Sequence, residues 1–357
     1  MKAHSPRPPV EDVLVVGAGV AALAAALSAR AFGAQVRIVG SPRGLSHRAS
    51  GAWDAGDPLS LPAPLSAAFL GLHREAQQAV LHALGEMRTL ATDARSQPLV
   101  ATIEGRLRRV ASSDARVLNL AGKTRIAIAH VEGCGFDARA LSRALNEGGG
   151  EPRFFVIDVE YGRRTQDAFA NASTALARSL DDASSSHRFI EAMRRALGGH
   201  AADAILTPPI LGFDAPVAEA LERALKLPVG EVVASHSIQS ERLTHKLRNA
   251  LRAIDSSWSE VDVVAQREAK RGVVLRLTSG ASLIAPQLVL ATGRAQHPGG
   301  VMVDTDACAL EGAPTSSRSR YAGTALRHLD PRHGVALGLV AASGWWAGMC
   351  AAKRISQ

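Results

Sequence analysis

Cysteine is nearly absent from this chain. Cys134, Cys308 and Cys350 stand far apart, with no C-x-x-C pair. That excludes a disulfide-built scaffold and leaves no iron–sulfur or zinc ligand set, so a reducing, cytoplasmic setting and no metal are expected. Aromatic residues make up 4% of the chain, too few for an aromatic-lined sheet. The residues before Asp12 are polar and proline-rich, without the apolar centre of a secretory signal. Acid is also in short supply. Forty-one Lys and Arg against 33 Asp and Glu leave a net charge of +8, which rules out an acidic tail and favours anionic partners. The basic residues are scattered, few aromatics lie among the arginines, and no reader motif appears, so nucleic acid is not the expected anion. Two uncharged stretches, 13–29 and 335–352, are long enough to be weighed against a membrane. The first opens with Gly17 and Gly19, and the second carries Gly338, Gly344 and Gly348. An Ala/Gly surface is weakly apolar, so both read as buried segments and no transmembrane span is expected.

What is present is a large apolar fraction, 46% of 357 residues, with 32 glycines. That suffices for a sizeable core and more than one small module. Val13-Leu14-Val15-Val16 is an unbroken apolar run, as in a parallel strand buried on both faces. It leads into Gly17-Ala18-Gly19-Val20-Ala21-Ala22, an Ala/Leu-rich helix to about Phe32, and a second strand, Gln35 to Val39. This is a βαβ opening with G-x-G-x-x-A. Gly17 permits the tight turn, Gly19 lets the backbone approach a pyrophosphate, and Ala22 allows close helix–strand packing. The helix N-terminus offers free N–H groups to phosphate. The carboxylate that usually ends the second strand is missing, because Gly40-Ser41 stands there. Arg37 and Arg43 are close by, which leaves a phosphorylated ribose, an FMN, or a hydroxyl contact from Ser41.

Further along, Leu65 to Met87 has helical spacing, and 97–131 reads as short strands with basic turns. Asp137 is a predicted N-cap for a helix to Asn146. Phe154 to Val159 reads as a strand and Ala168 to Leu180 as a helix, while Ser184, Ser185 and Ser186 read as loop. Leu206 to Gly212 reads as a kinked connection. Gly272–Leu277 and Ser282–Ala285 form an expected hairpin. Gln287 to Leu290 then leads into Ala291-Thr292-Gly293-Arg294, a strand ending found in two-dinucleotide-fold flavoproteins. The fold expected is α/β: a Rossmann-like FAD/NAD(P)-binding domain built from both chain ends, residues 10–60 and 236–357, with an inserted α+β cap domain, residues 61–235.

With these residues in hand, the chain resembles the B subunit family of anaerobic glycerol-3-phosphate dehydrogenase, flavoproteins related to the fumarate reductase type. The resemblance is carried by the G-x-G-x-x-A start, Ser50-Gly51-Ala52, Ala101 to Arg108, and Val131-Glu132-Gly133 with Phe136-Asp137-Ala138. It continues through Pro208 to Gly212 and Leu290 to Arg294, with Gly299-Gly300. In the family a Pro-Pro-Ser segment precedes an Arg-Leu pair; here Ser235-His236-Ser237 precedes Arg242-Leu243. The stretch from Tyr321 to Ala352 lacks the family's Ala-Ala-Gly turn. The resemblance implies FAD or FMN, held by Gly17, Gly19, Ala22, Ser41, Ser50, Gly51, Thr292 and Gly293. It also implies oxidation of sn-glycerol 3-phosphate, a phosphorylated hydroxy substrate, alongside A-type and C-type subunits that could bring the chain to the inner face of a membrane. Oxidising a secondary alcohol needs a proton acceptor, and a phosphorylated substrate needs cations. His236 and Arg242 are the catalytic candidates, and Arg106 and Arg108 are the phosphate candidates. The same residue types also fit a hydrogen-bonded structural histidine and a solvated basic turn.

Overall fold

The computed structural model describes residues 11–42, 45–53, 63–85, 96–161, 172–214, 216–292, 318–323 and 337–356. In chain order the first elements are β1 (Val13–Val16), α1 (Val20–Ala31), β2 (Val36–Val39), α2 (Ala63–Ala83), β3 (Leu99–Ala101) and β4 (Leu107–Arg109). Then come β5 (Arg125–Val131), α3 (Ala138–Glu147), β6 (Arg153–Val159), α4 (Ala172–Ser179), α5 (Ala183–Leu197), β7 (Ala204–Thr207), α6 (Val217–Leu225) and β8 (Val229–Glu231). The chain continues with α7 (Ile238–Ile254), β9 (Val263–Ala269), β10 (Gly272–Leu277), β11 (Ser282–Ala285), β12 (Gln287–Leu290), β13 (Ser319–Tyr321) and α8 (Leu337–Ile355).

The chain divides into two compact units. Unit one holds 1–47, 56–90 and 243–357; unit two holds 48–55 and 91–242. Both chain ends meet in unit one, whose main sheet has the parallel order β13-β12-β1-β2. All four residues of β1 are buried, because helices cover the sheet and every side chain must be apolar. Residues 56–90 group with unit one, whereas the sequence pattern assigns everything from residue 61 to the insert. The reason lies in α2, which packs on α8 and α1. Its His73 and Gln77 are buried where α8 presents Gly338, and a Cβ on that glycine would overlap the Gln77 amide.

α8 itself lies along α1 because its glycines leave room. A Cβ on Gly344 or Gly348 would overlap the carbonyl oxygens of Ala21 and Ala25. Small residues thus compensate for their small apolar area by letting two backbones touch. No helix among the described residues is long and apolar enough to cross a membrane. A second sheet of unit one is the antiparallel meander β11-β10-β9, which contains the expected hairpin.

Unit two departs from the α+β expectation. Its main sheet is parallel, in the order β6-β5-β7-β8, with a separate β3–β4 hairpin. Its core is built from large side chains, among them Ile126, Ile128, Leu180, Phe189, Met193, Ile205 and Leu206. Asp137 caps α3 by accepting from Ala140 N at 2.8 Å, as its position in the sequence suggests. The Ser184–Ser186 stretch is helical, not loop. Asp182 caps α5 through Ser185 N at 2.8 Å, and Phe189, Ala192 and Met193 bury one face. A cap plus an apolar face outweighs the modest helix propensity of three serines. The expected kinked connection begins as β7, which ends at Thr207 because Pro208 cannot continue a sheet ladder.

Candidate functional site

In unit one, the turn between β1 and α1 sits at the C-terminal end of the parallel sheet. Gly17 has φ +138°, and a Cβ there would overlap the carbonyl oxygen of Ala291. The turn is stitched to both neighbouring strands: Gly17 N donates to Val39 O at 2.8 Å and Ala291 N to Val16 O at 2.8 Å. Gly17 is therefore glycine for two reasons, its backbone angle and the strand that passes against it. Gly19 is the N-cap of α1 and supplies no side-chain cap. Ala22, in the first turn of α1, is fully buried. No acidic residue occupies the first turn of α1, so the N-terminal N–H groups and the helix dipole meet no built-in anion there.

Ser46 closes this cradle. Its Oγ accepts from Val20 N at 3.2 Å, and a Cβ on Gly19 would lie 2.9 Å from that oxygen. In the sequence Ser46 is one more residue of a Ser/Gly loop, and nothing in local spacing marks it. On the other side, Thr292 follows β12, and its buried Oγ1 has no hydrogen-bond partner among the described residues. A hydroxyl deprived of water and partner costs about 1–3 kcal/mol unless a ligand satisfies it. The described residues thus form a βαβ turn in which Gly17 is buried against Ala291 and Gly19 half-buried against Ser46. The arrangement suits a dinucleotide, with the first-turn N–H groups of α1 beyond Val20 for pyrophosphate and Thr292 as a side-chain donor or acceptor.

The remaining expected residues separate. Ser41 follows β2 and donates from Oγ to Asp262 Oδ1 at 3.0 Å, with Glu260 O at 3.3 Å. Arg37 faces Asp255 across 3.6 Å, so it is engaged within unit one. Arg43 and Gly293 lie outside the described residues. Ser50 and Gly51 group with unit two, where the next residues pair back: Trp53 N donates to Ser112 O at 2.7 Å and Ala111 N to Trp53 O at 2.8 Å. Arg106 is exposed and Arg108 half-buried on the β3–β4 hairpin of unit two.

Arg242, a catalytic candidate by sequence, has a different task in the fold. Its side chain is 2% exposed and faces Glu231, which is 0% exposed. The guanidinium donates to both Glu231 oxygens, at 2.7 and 2.9 Å, and from Nε to Gly212 O at 2.9 Å, with a further contact from Nη2 to the same carbonyl. Glu231 also accepts from Leu211 N at 2.7 Å and Gln239 Nε2 at 3.0 Å. Burial works against the Arg242 charge, but Glu231, with Asp114 and Asp181 further off, outweighs it and holds the pKa above the ordinary value. The guanidinium is spent on protein acceptors, so Arg242 holds the Pro208–Gly212 turn in place. His236 is exposed, with φ +55°, and its N–H donates to Arg48 O at 3.0 Å. It lies in the turn that precedes α7.

Among the described residues, no group of His, Cys, Asp and Glu is arranged to hold a metal ion. Cys134 is buried, and desolvation raises its thiol pKa.

No protein-family model matches the chain, and no curated protein sequence matches it. Solved structures similar to it include glycine oxidase from Geobacillus kaustophilus, at 18% identity over 82% of this chain and 59% of that one, TM-score 0.32. A 3-ketosteroid delta1-dehydrogenase from Sterolibacterium denitrificans matches at 14% identity over 80% of this chain and 49% of that one, TM-score 0.30. An L-amino acid deaminase from Proteus vulgaris matches at 14% identity, over 80% and 48%, TM-score 0.32. The chain thus spans about half to three-fifths of the length of these proteins. Superpositions this loose transfer neither substrate nor chemistry.

Proposed function

We propose that this chain is a flavin-dependent oxidoreductase, and specifically a B-type subunit of a glycerol-3-phosphate dehydrogenase complex that oxidises sn-glycerol 3-phosphate to dihydroxyacetone phosphate. The observation that carries the flavin reading is the cradle of Gly17, Gly19, Ser46 and Thr292 at the C-terminal end of a parallel sheet. The glycerol phosphate reading rests on the sequence resemblance. A bound flavin would supply the two-electron acceptor. In this reading the first-turn N–H groups of α1 beyond Val20 hold phosphate, Val20 N being taken up by Ser46 Oγ, and Thr292 Oγ1 orients the cofactor. His236 takes the substrate hydroxyl proton, while Arg106 and Arg108 neutralise the substrate phosphate as charge-assisted donors. Partner A-type and C-type subunits would pass electrons onward and could bring the chain to a membrane surface.

Two measurements test the proposal. The purified chain, reconstituted with FAD or FMN, should show a bound-flavin absorbance spectrum, and failure to take up either flavin removes the whole reading. Under anaerobic conditions glycerol 3-phosphate should bleach that spectrum. Bleaching by an amine or another hydroxy acid, and not by glycerol 3-phosphate, would keep the oxidoreductase and change its substrate. A second reading, a flavoprotein-fold subunit with a structural or electron-relay role, draws support from Arg242, whose side chain is locked against Glu231. In that case flavin binds and no substrate bleaches it.

A further inference from the structure

Strand β2 ends where a dinucleotide fold ordinarily offers a carboxylate to the adenosine ribose, yet residue 40 is glycine. No acid can stand there without damage to the site. Gly40 has φ +139°, and a Cβ at this position would lie 2.9 Å from Gly17 N and 3.1 Å from Gly17 C. A side chain at residue 40 would push on the very turn that must stay close to phosphate.

A carboxylate arrives at this strand end from a distant part of the same unit. Ser41 Oγ donates to Asp262 Oδ1 at 3.0 Å, across 221 residues of sequence. The segment that brings Asp262 here is fastened along β2 at several points. Asp255 Oδ2 accepts from Ile38 N at 2.8 Å, Val39 bridges Ser259 in parallel, and Gly40 N donates to Ser259 O at 3.4 Å. Thr278 N then donates to Asp262 O at 2.9 Å, which fixes the backbone at the residue itself. Asp262 is exposed, so a ligand can reach it. Arg37, the cation on β2, is turned to Asp255.

We propose that Asp262, oriented by Ser41, is the carboxylate that binds the ribose diol of an adenine dinucleotide, in place of the missing acid at the end of β2. A carboxylate is an acceptor only and matches two hydroxyl donors. It repels a phosphate in the same position, so the ribose it suits carries a free 2′-hydroxyl. The cofactor this selects is FAD over FMN, because FMN has no adenosine ribose. The inference deepens the flavin reading and rests on it.

Titration of the full chain with FAD and with FMN, followed by calorimetry or flavin fluorescence, tests it. The unmodified protein should bind FAD more tightly than FMN. Asp262→Asn should weaken FAD binding roughly tenfold to a hundredfold, the scale of one lost charge-assisted hydrogen-bond pair, and leave FMN binding unchanged. Ser41→Ala should weaken FAD in the same direction by a smaller factor, and it serves as the second variant if the Asn protein fails to fold. Glu260→Gln, two residues from Asp262, should bind FAD as the unmodified protein does. FAD affinity unchanged in both Asp262→Asn and Ser41→Ala overturns the inference, as does equal affinity of the unmodified protein for FAD and FMN. An unmodified protein that binds neither flavin overturns the flavin reading itself, and that outcome is read before any variant is made.

Discussion

The two units solve the same problem, holding a loop at the end of a parallel sheet, by opposite means. Unit one does it with absent side chains. Gly17, Gly40, Gly344 and Gly348 each leave a gap that a neighbouring backbone fills, so the phosphate turn and the α1–α8 contact are set by main chain against main chain. Unit two does it with large and charged side chains. Its core sets Ile, Leu, Phe and Met among Ala and Val, and the turn after β7 is gripped by the buried Arg242–Glu231 pair. The backbone-packed turn leaves the α1 N-terminus without an acidic side chain of its own. A side-chain clamp uses up its polar groups internally. The contrast matches ligand binding to unit one and rigidity to the β7 turn of unit two.

That contrast can be broken in measurable ways. The largest effect belongs to the clamp. Glu231→Ala leaves a buried guanidinium without its carboxylate and should cost about 3–5 kcal/mol in urea denaturation. The double change Glu231→Leu with Arg242→Met should recover only part of that loss, since it leaves no buried charge but strands Leu211 N, Gln239 Nε2 and Gly212 O. Full recovery would show that these groups find other partners. Next comes added volume in unit one. Gly344→Ala gains helix propensity, about 1 kcal/mol, but its methyl collides with the Ala21 carbonyl, and the net expectation is a loss of about 1–3 kcal/mol.

The same substitution in unit two should have the opposite sign. Gly148 ends α3 in a right-handed conformation with nothing within 4 Å of a Cβ. Gly148→Ala should therefore stabilise the protein by about 0.4–1 kcal/mol, through the unfolded chain's lost freedom. The smallest effect concerns Asp203, an exposed carboxylate. It accepts from Thr124 Oγ1 at 2.7 Å, Thr124 N at 2.8 Å and Arg125 N at 3.0 Å, which lowers its pKa from 3.8 to about 2. A lowered carboxylate pKa contributes stability above the unfolded value, and that contribution fades as pH falls from 3.8 toward about 2. Melting temperatures of Asp203→Asn and the unmodified protein should differ at neutral pH and converge near the lower value.

Much of unit one is legible in the amino-acid sequence, and the reason is locality. Val13 to Val39 contains both strands, the turn and the helix in one uninterrupted stretch, so periodicity and glycine spacing carry the whole βαβ opening. Asp137 as an N-cap is legible for the same reason, since cap and donor lie three residues apart. Ser46 is not, because its partner Val20 is 26 residues away and any serine in that loop reads alike. Arg242 misleads for a related cause. An arginine after a Ser-His-Ser segment suggests an anion site, and only the fold brings Glu231 and Gly212 around it. The parallel sheet of unit two is hidden by short strands, β7 and β8, that end beside prolines or turns and give no periodic signal of their own.

Neighbouring residues alone account for the buried β1 run, the G-x-G-x-x-A turn, the α3 cap and the β10–β11 hairpin. Which polar groups meet is settled only once the chain has folded. Asp262 reaches Ser41, Ser46 reaches the α1 N-terminus, and Glu231 pairs with the buried Arg242 guanidinium. The physical reason is that backbone geometry is written in adjacent residues. A hydrogen bond or an ion pair depends on distance in space, which chain separation does not reveal.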